Sequence, residues 1–271
     1  MSEDQNYTVV GQAEGAPGRA LLLVFHGSKQ TGAKHRAFTG RMYDALAERG
    51  DAVVVYLDGY RGNWNDARKE SSFPARLADI DHVGFAREVV DRLADSHGID
   101  RRRVYAVGYS NGGQMVMRLI HETPDLIAGA AVLSATMPAP ENFLAGGHPV
   151  VPMPVLLMHG TKDPIVAYEG GEMTWWARRM FKVGGRSLSA PETAAYFAER
   201  NGITTPPRRT DQTIEYRQEG RPPVVLYTLH GAGHTIAGPK RAPFVLGKTN
   251  QDLNTAELIA DFLGLNQAVK R

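Results

Sequence analysis

Short, continuous apolar runs alternate with amphipathic segments along this chain of 271 residues. The runs lie at 21–25, 52–57, 104–107, 128–133, 155–158 and 224–229, and apolar residues recur at helical spacing at about 38–49, 79–97, 111–122, 191–200 and 255–263. Strands that alternate with helices indicate βαβ units, and strands without alternating polar residues are typical of sheets covered on both faces. The sequence therefore predicts an α/β fold with a mostly parallel, doubly wound sheet and helices on both faces.

Two stretches, at 58–78 and 167–190, interrupt this alternation. Neither internal repeats nor low-complexity linkers divide the chain, so we predict one domain spanning residues 1–271. Long irregular insertions in compact domains often carry function. We therefore expect both stretches to contribute to a pocket, and the one at about 167–190 to form a lid or pocket wall.

The charge balance argues against a nucleic-acid partner. Lys and Arg total 31 against 29 Asp and Glu, which gives a net charge of +2. The densest basic cluster, at 101–103, directly precedes an apolar run and is interpreted as a solvated corner between helix and strand. The chain has no cysteine, which excludes disulfides, thiolate metal sites and a cysteine nucleophile.

Apolar runs are only as long as strands, so we predict no membrane span. Residues 1–18 are polar and lack the apolar core of a secretory signal. For the sequence as it stands we expect a cytoplasmic location, with secretion as the alternative if the natural chain is longer. The oligomeric state is left open.

The run at 104–107 leads directly into Gly108-Tyr109-Ser110-Asn111-Gly112, which matches the pattern G-x-S-x-G. In this pattern the serine lies on a strained turn between a strand and a helix, where side chains at the two outer positions would collide with those elements. An ordinary Gly-Ser turn is the alternative, but the predicted strand before it and helix after it favour the functional interpretation. We predict Ser110 as a nucleophile and the Asn111 amide as an oxyanion donor.

An acid and a histidine are expected after the serine in chain order, in loops that follow strands. Asp163 comes directly after the run at 155–158, although Asp-Pro pairs also occur in plain turns. His234 follows the run at 224–229, and His230 is a rival nearer the strand end. The sequence therefore predicts a triad of Ser110, Asp163 and His234, with His234 as the base.

A second oxyanion donor is expected from the loop after the first buried strand. There Gly27 permits close approach of the backbone, and we predict the amide of Ser28 as the donor, with the amide of Lys29 as the alternative. The non-functional alternative is that His26-Gly27 forms a simple turn after a buried strand. The other histidines show no HExxH or similar spacing, so we predict no catalytic metal and no cofactor.

Together these motifs resemble the polyhydroxybutyrate depolymerase and feruloyl esterase branch of the α/β hydrolases. The resemblance extends over about residues 20–263, and its motifs are His26-Gly27-Ser28 with Gln30, Trp64-Asn65-Asp66, the stretches 79–85, 108–113 and 159–163, and Gly233-His234-Thr235. It implies the α/β-hydrolase fold, a substrate pocket lined by Trp64, and a structural role for Asp81 at a helix start. Many relatives carry cysteines beside the Trp-Asn segment, whereas Gly62 and Asn63 precede Trp64 here.

The predicted function is that of a carboxylesterase acting on small or aromatic esters. The missing cysteines and the missing polymer-binding module favour a small soluble ester over an insoluble polyester. A polyester depolymerase, an acyltransferase or thioesterase with the same triad, and a non-catalytic binding protein are the alternatives. Trp175 and Trp176 lie between acid and base, where we expect them to cover an apolar substrate or to pack as a plain surface segment.

Overall fold

A computed structural model describes residues 6–13, 18–173, 175–181 and 183–266. Within these ranges the strands of the central sheet are β1 (Tyr7–Val10), β2 (Arg19–Phe25), β3 (Ala52–Leu57), β4 (Ile99–Tyr109), β5 (Gly129–Leu133), β6 (Val155–Gly160), β9 (Arg208–Arg209), β10 (Thr213–Gln218) and β11 (Arg221–Leu229). A separate two-stranded ribbon contains β7 (Gly171–Glu172) and β8 (Arg186–Ser187).

The central sheet has the spatial order β1-β3-β2-β4-β5-β6-β11-β10-β9. Its six inner strands, from β3 to β11, pair in parallel. The outer strands β1, β10 and β9 pair antiparallel with their neighbours. The prediction of a mostly parallel sheet is confirmed. Parallel order brings the carboxyl ends of β2, β4, β6 and β11 to one edge, where ligand sites of open α/β sheets form.

Helices cover both faces of this sheet. In the described ranges they are α1 (Gly32–Phe38), α2 (Asp44–Glu48), α3 (Pro74–Leu77), α4 (His82–His97), α5 (Asn111–Glu122), α6 (Trp175–Phe181), α7 (Ala190–Arg200) and α8 (Thr255–Leu263). Alternate residues along each strand point to opposite faces. One buried cluster joins the sheet to α4, α5 and α7, and the other joins it to α2 and α8. The predicted α/β-hydrolase architecture is therefore confirmed.

Several boundaries differ from the prediction. The stretch 38–49, expected to form one helix, contains only the last residue of α1, a turn at 39–43 and α2. The helix is interrupted because the backbone takes positive φ at Gly40 (66°) and Arg41 (61°). The helix expected from residue 79 begins at His82, where the Asp81 side chain accepts a hydrogen bond from the Gly84 amide as an N-cap. This capping contact agrees with the structural role that the resemblance implies for Asp81.

The arginine cluster lies within β4 and not at a corner before it. The strand begins at Ile99, which pairs with Arg19 of β2 before a register shift. Arg101 and Arg102 are exposed and form ion pairs with Asp91 and Asp100. The solvated character of the cluster is as predicted, whereas its secondary structure is not. No helix in the described ranges is long and apolar enough to cross a membrane.

Candidate active site

Ser110 lies on the turn that joins β4 to α5. Its backbone has φ 54° and ψ −116°, a strained conformation for a residue other than glycine. A Cβ atom at Gly108 would lie 2.2 Å from the Gly112 carbonyl oxygen, and one at Gly112 would lie 2.1 Å from the Phe25 carbonyl oxygen. Both glycines are therefore required by backbone contacts, as the motif predicts.

The structure brings Ser110, His234 and Asp163 into one hydrogen-bonded chain. His234 Nε2 lies 2.8 Å from Ser110 Oγ, and His234 Nδ1 lies 2.7 Å from Asp163 Oδ2. Because a carboxylate only accepts, Nδ1 carries the proton and Nε2 is free to accept the proton of the serine hydroxyl. Such an arrangement can activate a serine as a nucleophile.

Asp163 is buried and held by several donors. Its Oδ1 accepts hydrogen bonds from the amides of Ile165 and Val166, both at 2.8 Å, and its Oδ2 lies 3.4 Å from His159 Nε2. Burial alone raises the pKa of this carboxyl. The charge of His234 and the hydrogen bonds from His159 and His234 outweigh burial and hold the pKa well below its usual range. Asp163 is therefore ionised at neutral pH and can orient the imidazole.

The rival histidine lies elsewhere. His230 is largely exposed, and its Nε2 is 2.6 Å from the carbonyl oxygen of Asp211. His234 alone of the two candidates contacts Ser110. Tyr109 fastens the loop of His234 to β4, because its hydroxyl donates to the His234 carbonyl oxygen at 2.6 Å and its ring lies 5.1 Å from the imidazole.

The two predicted oxyanion residues, Ser28 and Asn111, line the same cavity as Ser110. No backbone acceptor for either amide occurs within the described residues. The alternative donor is excluded, because the Lys29 amide donates to the Gly62 carbonyl oxygen at 2.8 Å. The absence of a competing backbone acceptor among the described residues is compatible with the predicted role of both amides as oxyanion donors.

A buried histidine holds the loop that carries Ser28. His26 Nε2 accepts a hydrogen bond from the Gly59 amide at 2.9 Å, so the proton is on Nδ1, which donates to the Gly27 carbonyl oxygen at 2.7 Å. Burial lowers the pKa of His26 to about 4, with a smaller opposing effect of the Gly27 hydrogen bond. His26 is therefore neutral at physiological pH and stabilises the loop through its hydrogen bonds alone.

Trp64 does not line the cavity. It is fully buried, its Nε1 donates to the His26 carbonyl oxygen at 2.9 Å, and its ring packs against Phe25, His26 and His82. The structure therefore does not place Trp64 in the wall of this cavity, where the resemblance implies it. Because His26 lies in the loop that carries Ser28, the hydrogen bond from the Trp64 indole stabilises this loop on the side that faces the protein core.

The segment 167–190 contributes to the cavity through residues other than the predicted tryptophans. Met173, Phe181 and Val183 line the cavity. Trp175 is 78% exposed and is not part of this wall, because α6 directs it outward. The side chain of Trp176 lies outside the described residues.

The cavity above Ser110 has a volume of about 100 Å³. At the roughly 30 Å³ that one water molecule occupies in the liquid, this volume corresponds to about three water molecules, which is enough for a small organic group. Its wall is mainly apolar and includes Phe73, Ala135, Ile165, Val166, Met173, Phe181, Val183 and Leu246. Gln30, Arg68 and Gln114 add polar groups to the wall.

A buried polar network supports the turn from its other side. Asn111 Oδ1 accepts from the Trp64 amide at 2.9 Å, and Asn111 Nδ2 donates to Asp66 Oδ2 at 2.6 Å. Asp66 also forms an ion pair with Arg68, which lines the cavity. In the sequence, Asp66 stands out only as part of a motif and Arg68 does not stand out at all, since neither has a local signal for this contact.

No group of three or more histidine or carboxylate side chains in the described ranges could hold a metal ion. The arrangement therefore combines a serine hydroxyl hydrogen-bonded to a histidine and a carboxylate, two amides without a backbone acceptor among the described residues, and a small apolar cavity.

Comparison with known proteins agrees with this chemistry. The family described as phospholipase/carboxylesterase matches residues 75–180. NocK of Nocardia uniformis subsp. tsuyamanensis, a protein assigned as an esterase, is 32% identical over 92% of this chain and 76% of its own length. Feruloyl esterase B of Piromyces equi is 28% identical over 68% of this chain and 34% of its own length.

A solved structure agrees with the fold. Acetyl xylan esterase from Aspergillus awamori superimposes with a TM-score of 0.61 at 16% sequence identity, and the match covers 97% of this chain and 94% of that one.

Proposed function

The chain belongs to the serine esterases of the α/β-hydrolase superfamily, and from this premise we propose that it is a carboxylesterase that hydrolyses small or aromatic esters through an acyl-enzyme on Ser110. The observation that carries this proposal is the hydrogen-bonded chain from Ser110 Oγ through His234 to Asp163. The two amides without a backbone acceptor among the described residues and the small apolar cavity beside Ser110 add support.

In the first half of the reaction, Ser110 Oγ attacks the carbonyl carbon of the ester while His234 Nε2 accepts the hydroxyl proton. The carbonyl oxygen becomes an oxyanion, which the amides of Ser28 and Asn111 stabilise by hydrogen bonds. The bond between the carbonyl carbon and the alcohol oxygen then breaks, and the proton on His234 passes to the departing alcohol.

In the second half, water replaces the alcohol. His234 Nε2 accepts a proton from the water as its oxygen attacks the acyl carbon. The ester bond to Ser110 breaks, the proton returns to Ser110 Oγ, and the carboxylic acid leaves. Asp163 stays ionised throughout and stabilises the imidazolium that forms twice in each turnover.

The proposal also assigns the segment 167–190 to the pocket wall of a single domain. Met173, Phe181 and Val183 of this segment line the cavity, whose volume is about 100 Å³. Lys29 Nζ connects the segment to the loop of Ser28, since it donates to the Met180 carbonyl oxygen at 3.3 Å and lies 5.4 Å from the centre of the Phe181 ring. A short acyl group therefore fits this site better than a long one.

The test uses p-nitrophenyl acetate, butyrate and octanoate with the wild type, Ser110→Ala and Ser96→Ala. Ser96 is exposed on α4 and serves as a control for the same chemical change. We expect turnover by the wild type and the control, a preference for the short esters, and loss of turnover in Ser110→Ala with unchanged folding. Equal turnover by Ser110→Ala would refute the proposal.

A further inference from the structure

A surface loop beside the proposed catalytic base presents two apolar side chains to water. Phe244 and Val245 begin a short 3₁₀ turn and are 97% and 77% exposed. The next residue, Leu246, lines the cavity of Ser110, and its carbonyl oxygen accepts a hydrogen bond from the His234 amide at 2.7 Å. The exposed pair therefore lies directly next to the proposed active site.

This loop, residues 238–251, is called the Phe244 loop below, and hydrogen bonds between its two arms give it a fixed shape. The Gly238 amide donates to the Asn250 carbonyl oxygen at 3.0 Å, and the Ala242 amide donates to Thr249 Oγ1 at 2.9 Å. A single exposed apolar side chain is common on protein surfaces, whereas a neighbouring pair held outward by an ordered loop is typical of an interaction site.

Basic side chains accompany the apolar pair. Lys240, Arg241 and Lys248 are exposed, and the Phe244 loop contains no acidic residue. Lys240 Nζ donates to the Ala37 carbonyl oxygen at 2.5 Å, and Arg241 Nε donates to Gln251 Oε1 at 2.8 Å. Because these acceptors are uncharged, the positive charges are not neutralised by them and are available to an anionic partner.

Exposed apolar and basic side chains also occur on α6, which borders the same cavity through Phe181. Trp175, Arg179 and Met180 of this helix are all exposed. Aromatic and basic side chains together are typical of protein surfaces that lie in the headgroup region of a lipid bilayer. Two segments of the cavity wall therefore carry the same kind of exposed surface.

We propose that the Phe244 loop binds an anionic lipid surface, with Phe244 and Val245 inserted among the lipid chains and the basic side chains on the headgroup phosphates. An uncharged polymer would use the apolar pair but not the cations. A nucleic acid would use the cations but not the apolar pair. A bilayer with anionic headgroups uses both, since apolar burial and attraction to anionic lipids add up in binding at such a surface.

Binding of this kind would bring the cavity of Ser110 to the lipid surface, because Leu246 belongs both to the loop and to the cavity wall. Apolar esters partition from water into a bilayer, so a bound enzyme would meet them at a higher local concentration. This benefit rests on the proposed esterase function, whereas lipid binding itself does not.

The experiment measures co-sedimentation with sucrose-loaded vesicles of phosphatidylcholine alone and of an equal mixture of phosphatidylcholine and phosphatidylglycerol, each at low and high salt. Val245→Ser is matched by Val150→Ser, since Val150 is exposed before β6, at the opposite edge of the sheet from Ser110. Arg241→Gln is matched by Arg209→Gln, since Arg209 is exposed on β9.

We expect the wild type to bind the mixed vesicles more tightly than those of phosphatidylcholine, and to bind them less tightly at high salt. Arg241→Gln should weaken binding about fivefold. Val245→Ser should weaken it by about tenfold, because a buried valine is lost from the bilayer. Both controls should bind like the wild type. All four variants should keep the wild-type Tm, because each replaced side chain is exposed.

Three results would overturn the inference. They are a wild type that does not sediment with the mixed vesicles, equal affinity for the two kinds of vesicle, and loop variants that bind like their controls. Self-association that is lost in Val245→Ser, without vesicle binding, would identify the surface as an interface between two copies and would also overturn it. No ester takes part in the sedimentation assay, so its result stands even if p-nitrophenyl acetate is not hydrolysed and the esterase proposal fails.

Discussion

Replacement of Trp64 by phenylalanine tests whether this side chain supports the loop of Ser28 or contacts substrate. Phenylalanine keeps an aromatic ring among Phe25, His26 and His82 but lacks the indole N–H. The His26 carbonyl oxygen then loses its donor, and no other donor to it occurs among the described residues.

Two effects add up in the expected loss of stability. An unpaired buried carbonyl costs about 1–3 kcal/mol. The smaller ring leaves a cavity on the order of 40 Å³, which adds about 1 kcal/mol at about 24 cal/mol per Å³. The free energy of unfolding should therefore fall by about 2–4 kcal/mol. In a chain of this size, that loss lowers Tm by roughly 4–15 °C.

The assay combines thermal unfolding with steady-state kinetics on p-nitrophenyl acetate, butyrate and octanoate. Because Trp64 holds the loop of Ser28, kcat should fall about tenfold or more, toward the 10²–10³-fold loss seen when an oxyanion donor is removed. The relative kcat/KM values of the three esters should stay the same, since Trp64 is absent from the cavity wall. Trp175→Phe is the matched control, because this exposed side chain makes the same chemical change without burial.

An unchanged Tm together with a shifted preference among the three esters would refute this reasoning. Such a result would return Trp64 to the substrate pocket, as the family resemblance implies. A fall in Tm for Trp175→Phe equal to that for Trp64→Phe would show that burial is not the cause.

Three further predictions concern backbone approach, pH and the pocket wall. Gly112→Ala should lower the free energy of unfolding by more than about 4 kcal/mol or prevent folding, because its Cβ would lie 2.1 Å from a carbonyl oxygen of β2. The control Gly146→Ala should leave urea unfolding unchanged, because no atom lies within 4 Å of its Cβ. Burial lowers the pKa of His26 to about 4 and the pKa values of His35 and His82 to about 3. Between pH 6.5 and these values only the unfolded chain takes up the protons, so the folded protein loses stability as the pH falls. At pH 5 the free energy of unfolding should fall by about 2 kcal/mol for each of these histidines, or by about 6 kcal/mol in total. Urea unfolding at pH 7.5 and 5.0 measures this loss, and equal midpoints would contradict it. Phe181→Ala should raise the ratio of kcat/KM for the octanoate ester to kcat/KM for the acetate ester by about tenfold, because Phe181 lines the cavity. Trp175→Ala, at an exposed position, should leave this ratio unchanged. Equal ratios in the two variants would argue against Phe181 as the residue that limits the pocket.

The sheet could be predicted because burial on both faces leaves a direct trace in the sequence, as in the uninterrupted apolar run of β3. Helix boundaries left a weaker trace. The break between α1 and α2 depends on positive φ at Gly40, a common helix-terminating feature that the periodicity of apolar residues does not reveal. β4 extends back to Ile99 because its partner strand reaches it, and such pairing is a tertiary property.

The residues of the proposed triad follow strand ends, and local pattern is therefore enough to find them. Trp64, Arg68 and Gln114 are different, because their roles depend on contacts with segments far away in the chain. For Gln114 a signal was available. A residue four positions after Ser110 on a helix shares its face, so the spacing alone brings the two residues together.

Tyr109, the last residue of β4, connects the strand that precedes Ser110 with the loop that carries His234, through a hydrogen bond and a ring contact. Because of this connection, hydroxyl and imidazole meet in the folded protein before any ester arrives. For the proposed hydrolysis, the entropy of aligning nucleophile and base is therefore lost once, when the chain folds, and not again in each turnover. The activation free energy of such an enzyme is then mainly enthalpic, and kcat should rise steeply with temperature until the protein unfolds.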